Sequence, residues 1–228
     1  MTGAMRAMPE AGLFRSDGPI LLIGDSLTES WGLGRRAFFL RHGLVAHGVG
    51  GETSGQIRLR FDAALAAARP RRVHLWCGLN DIFGPDGPVT LDEIAANVAA
   101  MLDHARARGV PAWLGAVTPT RARLRASDPP PAPRIIALNR LLRRLADARG
   151  VPVIDYHTPL RTGSGGIRPA LTWDGIHLNA AGTAVVEACF LARLGGAPAR
   201  PSVRARAYRC RDALAAGLTR IAGSAARS

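Results

Sequence analysis

Short apolar runs recur along the chain, at residues 20–23, 44–49, 73–77, 112–117 and 151–154, each nearly continuous rather than alternating with polar positions. Such runs fit strands covered on both faces, as in a parallel sheet packed between helices. Between them the apolar positions return at helical spacing. Thr90-Leu-Asp-Glu93 has the capping-box pattern, and Ile94, Val98, Met101 and Leu102 follow at intervals of three and four before Gly109 stops the run. Ile135, Leu138, Leu142 and Leu145 repeat the pattern up to Gly150. Leu27 to Trp31 opens a helix directly after the first run, and a last helix begins near Asn179 and extends through Val185 and Val186 towards Leu194. Strands alternating with helices imply right-handed βαβ units and an α/β three-layer sandwich. Ligands of such sheets bind beyond the carboxyl ends of the strands, where Gly24-Asp25-Ser26 falls.

Composition bounds this picture. A chain of 228 residues, 47% hydrophobic, can bury one core without disulfides. The domain is expected over 18–196, with an N-terminal extension over 1–17 and an arginine-rich tail over 197–228. No apolar run reaches the length of a membrane span, and the first residues lack the apolar centre of a signal peptide, so a cytoplasmic protein is expected. Cys77, Cys189 and Cys210 are an odd number without short C-x-x-C spacing, which suggests neither a disulfide framework nor a zinc site. The net charge of +13 comes entirely from arginine, with no lysine, and the arginines are scattered. That pattern reads as compositional bias, and no nucleic-acid partner is expected. The tail carries seven arginines and Asp212, a net +6, with Leu214, Leu218 and Ile221 at helical spacing. A solvated or docked terminal helix is favoured there over membrane contact.

The chemistry concentrates in four stretches. Ser26 ends the first strand, where helix-start N–H groups could face negative charge. A serine nucleophile needs a base and an orienting acid, and Asp174-Gly-Ile-His177 supplies both just before the last helix. Of the other histidines, His42 and His104 read as exposed, His47 and His74 as core or rim positions in strands, and His157 as a loop residue. Asp174 and His177 also fit a helix cap beside a surface histidine, or two ligands of a metal without an evident third. Gly50-Gly51-Glu-Thr-Ser54 and Gly78-Leu-Asn-Asp81 follow the second and third strands, so Gly51 N–H and the Asn80 amide would reach the same edge as Ser26. They could bind a developing oxyanion together with Ser26 N–H, or merely shape two turns. Asp25 reads as a turn former, and Thr118, Pro119 and Trp173 as pocket-lining positions.

Taken together, Gly24-Asp-Ser-Leu27, Gly51-Glu-Thr-Ser54, Gly78-x-Asn-Asp81 and Asp174-Gly-Ile-His177 resemble the SGNH hydrolase family, also called GDSL-type esterases and lipases. The resemblance spans roughly 20–194. It implies the family's flavodoxin-like five-stranded parallel sheet, with Ser26 matching the nucleophile, His177 the general base and Asp174 the acid that orients it. Ser26, Gly51 and Asn80 match the oxyanion-hole donors. Two positions depart from the pattern: His47, where many members have Asn, and Leu178, where many have Pro. The implied activity is hydrolysis of carboxylic esters without metal or cofactor, on a small-molecule, glycan or lipid ester. The short segment 82–89 shows no long inserted lid, which favours acetyl or other short acyl groups over long chains, with lysophospholipids and thioesters as alternatives. The loop 122–133, with Pro129-Pro-Pro131, borders the site or is simply exposed. The rivals are a non-catalytic α/β module binding a small molecule or acidic polymer, and a nucleotide-binding domain. The nucleotide reading lacks both G-x-x-x-x-G-K-[ST] and a G-x-G-x-x-G sequel to the first strand.

Overall fold

The computed structural model describes residues 18–84, 87–123 and 128–195. Five parallel strands form one sheet: β1 (Ile20–Gly24), β2 (Leu44–Gly48), β3 (Arg72–Trp76), β4 (Ala112–Gly115) and β5 (Val153–Ile154), in the order β2-β1-β3-β4-β5. The helices are α1 (Ser26–Gly34), α2 (Arg36–His42), α3 (Ser54–Ala68), α4 (Leu79–Phe83), α5 (Leu91–Ala107), α6 (Ala132–Asp147), α7 (His157–Leu160) and α8 (Ala180–Leu194). The three-layer α/β sandwich is therefore the fold, with α3, α5 and α6 side by side on one face. On the other face Trp31 of α1 meets Phe190 of α8 edge to face at 5.6 Å.

The apolar runs become strands because each is covered on both sides. Ile20, Leu21, Leu22 and Ile23 are all at most 1% exposed, and burying four such side chains contributes on the order of 1.5–3 kcal/mol each. Three expected strands run past their observed ends. The fourth was expected over 112–117, but the ladder stops at Gly115 because the Asn139 side chain takes over both backbone groups of Val117, at 2.8 and 2.9 Å. The capping box at Thr90 is present, with Glu93 Oε2 accepting from Thr90 N at 2.7 Å, and Asn179 caps α8 through Gly182 N at 3.0 Å. The 122–133 stretch is not wholly a loop, since α6 begins at Ala132.

Two histidines depart from expectation. His42 is 5% exposed, packed 4.6 Å from the ring of Phe38. His157 starts α7 and is buried, its Nδ1 3.1 Å from Val117 O. Helix α3 has no counterpart among the expected elements. Among the described residues no helix is long and apolar enough to cross a membrane. The expected extension over 1–17 and the tail over 197–228 lie outside the described residues.

Candidate active site

Ser26 is the first residue of α1, directly beyond the carboxyl end of β1. Asp25 caps that helix, accepting from Leu27 N at 3.0 Å, so the turn-forming role expected of it holds. The helix can sit this close to the sheet because the neighbouring strand ends in Gly48. A Cβ there would stand 2.2 Å from Glu29 N and 2.7 Å from Asp25 O.

His177 reaches Ser26 from the other end of the chain. Its Nε2 lies 3.1 Å from Ser26 Oγ, and its Nδ1 lies 2.6 Å from Asp174 Oδ2. The loop that carries it is heavily tied. Trp173 N donates to His177 O at 3.0 Å, Thr172 Oγ1 donates to the same carbonyl at 2.7 Å, and Gly175 O accepts from Thr120 Oγ1 at 2.7 Å and from Arg121 N at 3.1 Å. Asp174 does two things at once: Oδ1 closes the turn by accepting from Ile176 N and His177 N at 2.8 and 2.7 Å, while Oδ2 faces the imidazole. Asp174 is therefore not a helix cap, since Asn179 caps α8; it closes a local turn and faces the imidazole with its other oxygen.

Helix α8, which follows His177, is tied to α1, which begins at Ser26. Glu187 of α8 accepts from Trp31 Nε1 at 3.2 Å and receives Arg35 bidentately at 2.7 and 2.8 Å. Below this, Trp31, Trp76 and Phe190 pack edge to face.

The second and third stretches close on the same edge. Gly50 lies beside the serine: a Cβ built on it would be 3.8 Å from Ser26 Cβ. Gly51 takes φ 78, in the left-handed region, which turns the chain at the tip of the loop. Asn80 is oriented by donating Nδ2 to Glu52 O at 2.9 Å. A carboxamide has two N–H donors, so this bond leaves one for a ligand. Asp81, 1% exposed, accepts from Ser54 N at 2.8 Å and Ser54 Oγ at 2.5 Å, and Asn97 Nδ2 donates to Ser54 Oγ at 3.1 Å. The two glycine-containing loops are thereby latched together. Of the expected pocket-lining residues, Thr118 is buried and Trp173 stands 79% exposed at the rim.

Electrostatics separates the two acids. Burial raises the Asp174 carboxyl, but the hydrogen bonds from the His177 ring and from the Ile176 and His177 backbone N–H groups outweigh it and hold the group down at about 2. Asp25 is pushed up to about 7, first by burial and further by the nearby Asp81 charge, against the Leu27 hydrogen bond. With an ionised Asp174 facing Nδ1, that nitrogen carries the ring proton and Nε2 offers a lone pair to the serine O–H. Such an arrangement can draw a proton from a hydroxyl as it attacks a carbonyl. Among the described residues no group of three or more His, Cys, Asp or Glu side chains is placed to hold a metal ion.

Sequence reasoning brought Ser26, Gly51, Asn80, Asp174 and His177 to this edge. It assigned nothing to Glu52, Ser54, Arg60 or Asp81, which hold the loops. Glu52, Ser54 and Asp81 lie within the Gly51-Glu-Thr-Ser54 and Gly78-Leu-Asn-Asp81 stretches, whereas Arg60 lies outside every stretch that the sequence marks.

Similarity to known proteins agrees with this geometry. A family model described as GDSL-like lipase/acylhydrolase matches residues 22–185. Similar solved structures include a provisionally named acylhydrolase of Bacteroides fragilis, at 27% identity and TM-score 0.75 over 80% of this chain and 88% of that one. A GDSL-like lipase of Bacteroides thetaiotaomicron aligns at 26% identity and TM-score 0.76, over 82% of this chain and 92% of the other. An acetylxylan esterase of Geobacillus stearothermophilus shares the fold at 19% identity and TM-score 0.67, over 82% and 98% of the two chains. No curated protein sequence gives a significant match.

Proposed function

The chain belongs to the GDSL-like lipase/acylhydrolase family and is a serine hydrolase acting on esters, and on that premise we propose that Ser26, His177 and Asp174 carry the reaction. The observation that supports this most is the continuous line from Asp174 Oδ2 to His177 at 2.6 Å and from His177 Nε2 to Ser26 Oγ at 3.1 Å. His177 takes the Ser26 proton as Oγ attacks the ester carbonyl. The resulting oxyanion is received by Ser26 N–H, Gly51 N–H and the free N–H of Asn80. The tetrahedral intermediate collapses as His177 returns its proton to the departing alcohol. Water then enters, His177 takes one of its protons, and the acyl group leaves as a carboxylic acid while Ser26 regains its hydrogen. None of these steps calls on a metal or cofactor.

The favoured substrates carry acetyl or other short acyl groups. His177 and Asp174 have side chains 39% and 49% exposed, which suits a shallow, open site rather than a tunnel for a long chain. The turn after Asn80 supports the same reading, since Gly84 N bonds back to Asn80 O at 2.9 Å and Gly87 N to Gly84 O at 3.0 Å. The hydrolase unit is taken to run over 18–196.

Hydrolysis of p-nitrophenyl esters from acetate to decanoate by wild type, Ser26→Ala and His177→Ala tests the reading. The expected result is turnover greatest on acetate or butyrate, with both variants at background. Full activity in Ser26→Ala would remove the nucleophile assignment, and decanoate as the best substrate would remove the short-acyl preference.

A further inference from the structure

The loop between β2 and α3 carries Gly51 on a short, exposed turn, yet an oxyanion donor must be held to a few tenths of an ångström. The pinning comes from one side chain on α3. Arg60, only 19% exposed, donates NH2 to Gly24 O at 2.9 Å and NH1 to His47 O at 3.0 Å, the last residue of β1 and the next-to-last of β2. Its Nε lies 2.6 Å from Glu52 Oε2. Its NH1 also stands 2.5 Å from His47 Nδ1, and because a guanidinium only donates, that ring nitrogen accepts and the ring is neutral. Burial and the Arg60 charge both lower the pKa of His47, in keeping with this.

Glu52 is the hinge of the arrangement. Its carboxylate is held by Arg60, and its backbone carbonyl receives Asn80 Nδ2. Gly51 precedes it directly, and Gly24 lies two residues before the serine. One guanidinium therefore fixes, in a common frame, the strand that ends at Ser26, the turn that holds Gly51 and the carbonyl that aims Asn80. A lysine has one nitrogen and could not span the same acceptors.

From this geometry we propose that Arg60 is a positioning residue for the oxyanion hole, acting through Glu52 without touching the substrate. The proposal rests on the reading above that Gly51 and Asn80 receive the oxyanion. Losing one oxyanion donor costs ~10²–10³ in turnover, and misplacement by about 1 Å can cost ~10². Arg60→Gln should lower kcat on p-nitrophenyl acetate about 10²-fold with KM within about threefold, and Arg60→Lys about 10-fold.

The test uses the full chain and adds a trifluoromethyl ketone, which forms an anionic tetrahedral adduct with a serine. Ketone affinity should weaken in parallel with kcat/KM. In the double variant with Asn80→Ala the losses should fall short of multiplying, because both changes act through the same donors. A folded Arg60→Gln with kcat within about threefold of wild type, or losses that multiply with Asn80→Ala, overturns the proposal. If Arg60→Gln does not fold, Glu52→Gln keeps the Arg60 bonds to Gly24 and His47 and weakens the one to the loop. It should give the same kcat-selective loss on a smaller scale, and unchanged kcat there overturns the proposal equally. An inert Asn80→Ala would instead remove the oxyanion reading beneath it, whereas an inert Arg60→Gln beside impaired Asn80→Ala and Ser26→Ala removes the positioning role alone.

Discussion

Asp25→Asn should stabilise the protein, increasingly as pH rises from about 4 to 7 and fully above that. The Asp25 side chain is 3% exposed at the start of α1, and burial lifts its carboxyl from 3.8 to about 7. The folded state therefore keeps a proton that the unfolded chain releases near pH 4. Below that pH both states hold the proton and the group is neutral to stability. As pH rises towards 7 the folded state binds more protons than the unfolded one, so stability falls, and above 7 the full penalty is present. A shift of about three units at 1.36 kcal/mol each makes that penalty about 4 kcal/mol. Asparagine keeps an oxygen for Leu27 N and cannot ionise. Urea unfolding at constant ionic strength should find Asp25→Asn more stable than wild type by up to about 4 kcal/mol at pH 8. The difference should shrink towards zero near pH 4. A difference that is the same at both pH values, or of opposite sign at pH 8, would refute the reasoning.

Asp174→Asn keeps the oxygen that closes the Ile176 and His177 turn but removes the carboxylate facing the imidazole. It should lower kcat by ~10²–10⁴ with little change in melting temperature, and a large loss of stability would mean that the group is chiefly structural. Glu187→Ala strips the acceptor from Trp31 Nε1 and the partner from Arg35. Thermal melts should show destabilisation of about 1–3 kcal/mol, and Glu187→Gln should recover part of it. Cys77 is buried, and burial pushes its thiol well up, whereas Cys189 is only half-buried. Alkylation at pH 8 followed by peptide mass mapping should modify Cys189 well before Cys77.

The core strands and the residues that meet at the sheet edge were legible for a shared reason: both are written in contiguous residues. Four apolar side chains in a row announce β1, and a strand that stops at Gly-Asp-Ser beside a later Asp-x-x-His marks where chemistry gathers. Helix α3 was hidden because its inward residues, Ile57, Phe61, Ala64 and Leu65, are interleaved with arginines and with Leu59, which is 87% exposed. Its start was nevertheless signalled by Thr53-Ser-Gly-Gln56, a capping box that the structure contains. His42 is covered by Phe38, four residues earlier on the same face of α2, a helix absent from the expected elements. Arg60 was the least readable. It works by bonding backbone carbonyls of β1 and β2, and carbonyls leave no trace in the sequence.

The central claim is that Ser26 is the nucleophile, and covalent trapping tests it most directly. Wild type and His177→Ala would be incubated with a fluorophosphonate, digested, and mapped by peptide mass. A single adduct on Ser26 in wild type, formed far more slowly without His177, is the predicted result. An adduct on another residue, or labelling that does not depend on His177, would contradict the account.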